Sequence, residues 1–343
     1  MDRLKNKVII LVILLLGILQ VAWGANVLVP TMDLTTKVNL QAQLETRGEF
    51  AVSFDGGYKY QAKLAFQYYD TMLEDDTRSS LVFDGAQASI RDIFKAVDLT
   101  YFTGYYGILG EGQYYKGHLY HGIGGFDYNG YLPILGTGFI VGNSRPEVFE
   151  GKAYVYQQYG MSYINACDLL LGVNLDPFTA RLFLGMATGA YRIGTQLMWL
   201  GEATEIYLTI GNPSISASDK IDFDDFYLLM EEWFKMENLN LILSVFSRPN
   251  IHYNYISRGY SPTNETNDLD FNFNLNYAPE ASNFSGGGEL NVQTNSQETV
   301  GVYLSPYIKV FTSGVTWKMK VDFNLISQAR DFITAYLNIN ASF

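Results

Sequence analysis

Residues 331–343 read DFITAYLNINASF, and their period decides the fold of the chain. From Ile333 onward apolar and polar residues alternate. Ile333, Ala335, Leu337, Ile339, Ala341 and Phe343 fall on one side. Thr334, Tyr336, Asn338, Asn340 and Ser342 fall on the other. Successive side chains of a strand point to opposite faces, so the first set makes an apolar face and the second a polar one. On a helix, Leu337, Ile339 and Ala341 would spread round the cylinder, so the helical reading fails.

The same period recurs upstream. Leu269, Phe271, Phe273, Leu275 and Tyr277 oppose Asp268, Asp270, Asn272, Asn274 and Asn276. Val315, Trp317, Met319, Val321 and Phe323 oppose Thr316, Lys318, Lys320, Asp322 and Asn324. Two long alternating runs flank Asp55-Gly56-Gly57 and predict a hairpin. Asp176-Pro177 marks another turn. These runs predict strands longer than the five or six residues usual in soluble domains, and close to the roughly 9–11 that a tilted membrane strand needs. The stretch 222–236, DFDDFYLLMEEWFKM, fits either a capped helix or a strand with Trp233 at an interface. The turn residues Glu237-Asn238 before the next alternating run favour the strand.

A final strand with apolar residues at every second position, ending on phenylalanine, resembles the C-terminal signature of bacterial outer-membrane β-barrel proteins, porins among them. The resemblance implies that the last strand closes the barrel. It also implies that Ala335, Leu337, Ile339, Ala341 and Phe343 are read by the outer-membrane assembly machinery. Expected with it are outer-membrane lipid as the surrounding solvent and an all-β transmembrane antiparallel barrel of about 16 strands, within 14–18.

The N-terminus fits export. Arg3, Lys5 and Lys7 precede the apolar run 8–19, and Ala22 and Gly24 are small residues placed for cleavage. Residues 1–24 are expected to be a cleaved signal peptide and 25–343 the barrel. An uncleaved anchor is the alternative, but a spanning helix needs about 20 apolar residues, and this run meets Gln20 early. Only helices and closed barrels cross a bilayer, and no later segment is long and apolar enough to span as a helix.

The formal net charge is -12. Loss of the basic leader makes the chain more acidic still, which excludes nucleic acid as a partner because phosphate backbones need a basic surface. Aromatic residues make up 15% of the chain, as interfacial girdles require. A single cysteine, Cys167, rules out an internal disulfide framework and reads as a small apolar strand residue.

The stretch 105–131, YYGILGEGQYYKGHLYHGIGGFDYNGY, has no period. Unstructured runs of this length are uncommon and usually functional. In porins a long loop often folds into the barrel and narrows it. Glu111, Tyr114, Tyr115, Lys116, His118 and His121 are therefore candidate constriction residues. Asp98, Arg181, Glu205, Lys318, Lys320 and Asp322 lie on polar strand faces and are candidate pore-lining residues, since rings of charge set ion preference. His118 and His121 lack a defined third ligand, so no metal site is expected. No G-x-S-x-G or HExxH occurs, so neither a catalytic residue nor a cofactor is expected and the chain is not read as an enzyme.

The reading is a porin-like channel for passive diffusion of small hydrophilic solutes. A homotrimer stands open, because trimers are common among porins. The competing reading is a surface adhesin or receptor barrel with a filled lumen. A transporter of hydrophobic substrates would need an N-terminal plug, for which residues 25–35 are too few.

Overall fold

The structure, a computed structural model, describes residues 26–28, 31–40, 44–71, 80–115, 130–159, 164–187, 189–216, 225–248, 268–280, 282–295, 300–326 and 332–342. The expected leader, Lys116, His118, His121 and Phe343 lie outside the described residues. The elements in chain order are β1 (Asn26–Leu28), β2 (Thr31–Asn39), β3 (Leu44–Asp55), β4 (Tyr60–Thr71), β5 (Ser80–Ile93), β6 (Val97–Leu109), β7 (Leu132–Asn143), β8 (Phe149–Gln158), β9 (Ile164–Leu175) and β10 (Phe178–Ala187). They continue with β11 (Ala190–Leu200), β12 (Thr204–Ser216), β13 (Tyr227–Met236), β14 (Leu239–Arg248), β15 (Asp268–Tyr277), β16 (Phe284–Asn295), β17 (Val300–Thr312), β18 (Val315–Asn324) and β19 (Ile333–Ser342).

From β2 onward each strand pairs antiparallel with the next, and β19 returns to β2, with Asn338 beside Thr35. The result is a closed barrel of 18 strands, the top of the expected range. The short β1 accounts for the extra element. It pairs with the end of β3, Leu28 beside Ser53, and β2 continues along the same strand, Met32 beside Phe50. Pro30, between the two in sequence, has no N–H to give a ladder.

Closure leaves no free edge, and each strand presents one face to the lumen and one outward. Phe271 pairs with Val245 and Val292 on the outer face. The next residue, Asn272, pairs with Ser244 and Asn291 on the inner face. The outer face carries exposed Leu169, Leu182, Ile206, Phe273, Leu304 and Met319 in an apolar belt. So much exposed apolar surface is incompatible with water and suits hydrocarbon. Cys167 belongs to this face, between Val155 and Met186. Exposed Tyr60, Phe149, Phe178, Trp199, Tyr277 and Phe284 stand at strand ends beside the short turns, as an aromatic girdle does.

The two ends differ. Short turns such as Asp176-Pro177 and Glu237-Asn238 join strands at one end, where β2 begins and β19 finishes. The long connections, 110–131 and 249–267, leave from the other. Residues 227–236 form β13, so that part of the ambiguous stretch is strand. The period-free stretch starts later than expected, because residues 105–109 belong to β6.

The inner face departs from expectation in one arc. A hydrophilic lining was expected throughout, and Ser244, Asn272, Asn291, Ser305 and Asp322 provide it on β14 to β18. Over β6 to β14, however, Phe102, Ile134, Ile140, Leu170, Phe183 and Phe246 form a buried apolar cluster inside the barrel. Its partner is the chain itself: Tyr115 and Tyr131, from the connection between β6 and β7, pack into it.

Candidate lumen site

The connection after β6 folds inward by hydrogen bonding rather than by bulk. Glu231 on β13 accepts the backbone N–H of Gln113 at 2.7 Å, of Tyr114 at 2.9 Å and of Tyr115. Three consecutive amides converging on a carboxylate make an anion-binding concavity, occupied here by a side chain from the wall. Two more carboxylates complete the hold. Tyr114 Oη donates to Glu205 on β12 at 2.5 Å, and Tyr115 Oη donates to Asp270. Burial, then the hydrogen bond to Glu205, pushes the Tyr114 phenol above its usual range, so it stays a donor. Asp270 lies on β15, nine places from β6 in the strand order and so halfway round the barrel. The segment 110–115 therefore crosses the interior.

The returning end is seated by glycine. Tyr131 donates its N–H to Leu109 O at 2.7 Å and its hydroxyl to Asn212 O at 3.0 Å. Its ring stacks on Phe183, with centroids 5.6 Å apart. Gly194 and Gly211 are register partners on β11 and β12. A Cβ on Gly194 would stand 3.0 Å from the Tyr131 ring, and one on Gly211 2.5 Å from it. Glu111 joins through its carbonyl, which accepts Gln196 Nε2 at 2.9 Å.

Space remains beside this strap, two cavities lying mainly against β2 to β8 and a third against β6 to β12. One cavity of about 460 Å³ lies beside the short turns and is lined by Lys63, Arg91, Asp98, Tyr106 and Lys152, among others. A second, of about 420 Å³, lies above it along β3 to β6, with Glu49, Lys63, Asp84 and Glu111 on its wall. A third, of about 660 Å³, borders residues 106–113 and the triad Glu150, Lys152 and Arg181. In that triad Glu150 binds Lys152 at 2.8 Å and Arg181 at 2.9 Å.

The expected lining residues do not form one ring. Asp98, Glu111 and Arg181 reach these cavities. Asp98 also accepts from Asp92 N–H at 2.8 Å and Ser144 Oγ at 2.6 Å, tying down a turn. Tyr114 and Tyr115 belong to the strap, and Glu205 anchors it from β12. Lys318, Lys320 and Asp322 point inward but are locked into a buried network with Glu289, with Lys318 at 2.9 Å, and line none of the three cavities. Sequence reasoning missed Glu231, Asp270, Lys63 and Arg91. Alternation marks Lys63 and Asp270 as inward, whereas the adjacent Glu231 and Glu232 carry no such mark, and nothing local says which inward residues meet the strap or the cavities. It also missed a buried ion pair, Arg192 with Asp168 at 3.0 Å, which Tyr156 joins.

Among the described residues no group of His, Cys, Asp and Glu is arranged to hold a metal ion. The site consists of fixed charges and hydrogen-bond groups lining these cavities.

No protein-family model matches the sequence, nor does any curated protein. Solved structures do. Wzi, an outer membrane protein involved in group 1 capsule assembly in Escherichia coli and described as a carbohydrate-binding β-barrel, aligns with a TM-score of 0.57 at 11% identity over 91% of this chain and 84% of its own. OccK5 (OpdH) of Pseudomonas aeruginosa aligns at 0.56 with 12% identity, over 93% and 98%. OprB of Pseudomonas putida aligns at 0.51 with 10% identity, over 93% of each chain. At such identities the likeness speaks for the fold. With the apolar outer belt and the closed ladder, it gives this chain the fold of a membrane-type β-barrel similar to these outer-membrane proteins.

Proposed function

We propose that the barrel is a channel for passive diffusion of small hydrophilic solutes, narrowed by the strap at 110–115. The observation that carries this is the off-centre arrangement of the lumen. The strap and the apolar cluster occupy the β6–β14 arc, while polar, charged cavities persist along β2 to β8. A hydrated passage with fixed charges on its wall selects by size and field and needs no energy source. The reading includes export through a cleaved leader, insertion by the assembly machinery using the last strand, and room for a trimer.

The test is reconstitution. Purified barrel should give discrete conductance steps in planar bilayers, and liposomes containing it should swell in small neutral solutes. Glu231→Ala, which removes the acceptor of three amides, should raise conductance by releasing the strap. Folded barrel with no conductance and no swelling would reject the channel. The buried cluster would then favour the second reading, a surface receptor barrel whose lumen is filled.

A further inference from the structure

Two of the cavities meet at a neck. The one beside the short turns and the one above it share Lys63, Gln87 and Tyr106. Lys63 points inward from β4, in register with Ser53 on β3 and Gln87 on β5. The balance of charge changes across this neck. Above it, the wall carries Asp33, Glu49, Asp84 and Glu111, with Lys63 as the cation. Below it, Lys63, Arg91 and Lys152 outnumber Asp55 and Asp98.

The cations below are not equally available. Lys152 is paired with Glu150. Lys63 and Arg91 make no ion pair among the described residues. A half-buried cation without a counter-ion, in a passage walled by low-dielectric protein, attracts an anion more strongly than it would in bulk water. The separation of the two fields follows from strand geometry. Glu49 lies four positions along β3 from Ser53, the partner of Lys63, with no break in the ladder between them, which is about 13 Å at the usual rise of a strand.

We infer that this neck selects dipolar solutes. A carboxylate is held at Lys63, with Arg91 further down the same cavity wall, while an ammonium group, on the order of 10 Å away, faces the acidic wall above. ω-Amino acids and short peptides have this form. The inference rests on the channel reading and adds a solute class to it. A simple cation is opposed at Lys63, a simple anion is opposed by the four carboxylates above, and a neutral molecule gains at neither place. Net charge alone, -12 for the chain, points instead to plain cations.

Liposome swelling separates these cases with two probes of one skeleton and no net charge. They are ε-aminocaproate, a zwitterion, and ε-hydroxycaproamide, which is neutral. The unaltered barrel is expected to admit the zwitterion several-fold faster than the amide. Lys63→Gln should bring the two rates together, and Arg91→Gln should reduce the difference. Lys59→Gln, at an exposed turn position outside both cavities, should leave it unchanged. Heat-modifiable migration on a gel confirms that each variant is folded. Equal rates in the unaltered barrel, or a preference that survives both substitutions, would overturn the neck while leaving the channel standing. Failure of both probes to enter would remove the channel, and the neck with it.

Discussion

Tyr131 can sit where it does because two glycines leave the wall bare. Gly194 and Gly211 face each other across the β11–β12 ladder, and the ring lies on both. A methyl group on Gly211 would meet a ring carbon at 2.5 Å and the backbone of Gly194 at 2.6 Å, so ring or strand must move. Overpacking of this kind costs about 1–3 kcal/mol. Gly211→Ala should therefore lower the urea midpoint of the barrel in lipid vesicles, followed by tryptophan fluorescence. Removing the ring leaves a void in the buried cluster, and Tyr131→Ala should cost more, about 3–5 kcal/mol by analogy with other aromatic truncations. Glu231 works differently, because it is an acceptor and not a filler. Glu231→Gln keeps the shape but leaves one acceptor oxygen where three N–H groups converge. Stability should change less than in Tyr131→Ala, while current noise in single-channel records should rise as residues 110–115 detach.

Each strand is a ribbon with two solvents, and substitutions on its two faces should have opposite fates. Phe273 and Asn274 are neighbours on β15; the first is exposed on the outer belt, and the second faces inward, where it bonds Tyr307 Oη at 2.8 Å. Phe273→Arg places a charge in hydrocarbon and should cost about 2–4 kcal/mol near the bilayer midplane. Asn274→Arg should cost less in vesicle unfolding, because its guanidinium enters a polar interior beside Glu289. The same contrast explains how much of the fold was legible. Strands β15, β18 and β19 read cleanly because inner polar residues alternate with outer apolar ones. β7 and β9 read poorly because Ile134, Ile140 and Leu170 make the inner face apolar too, which erases the period of two. β13 was ambiguous for a related reason, since Tyr227 and Leu229 belong to the same inner cluster. The strap could be expected from length and aperiodicity, but its anchor could not. Glu231 lies 117 residues from Tyr114, and only barrel closure brings them together.

Closure also fixes what the molecule needs around it. In a soluble β protein the apolar faces of two sheets meet and exclude water. Here a single sheet closes on itself, its outer apolar face has no protein partner among the described residues, and the interior is shared between a buried cluster and charged cavities. The lumen contents cannot replace a bilayer, because they bury the wrong face. Burial of apolar area is worth roughly 25 cal/mol per Å², so a belt spanning eighteen strands makes lipid or detergent part of the folding reaction. The polypeptide 25–343, diluted from urea into detergent-free buffer, should therefore aggregate or stay unfolded. Diluted into lipid vesicles, it should gain β circular dichroism and migrate on unheated gels as a compact band that shifts on boiling. Folding to a monodisperse species in buffer alone would mean that the exposed belt is covered by something other than lipid, and the membrane placement would fall.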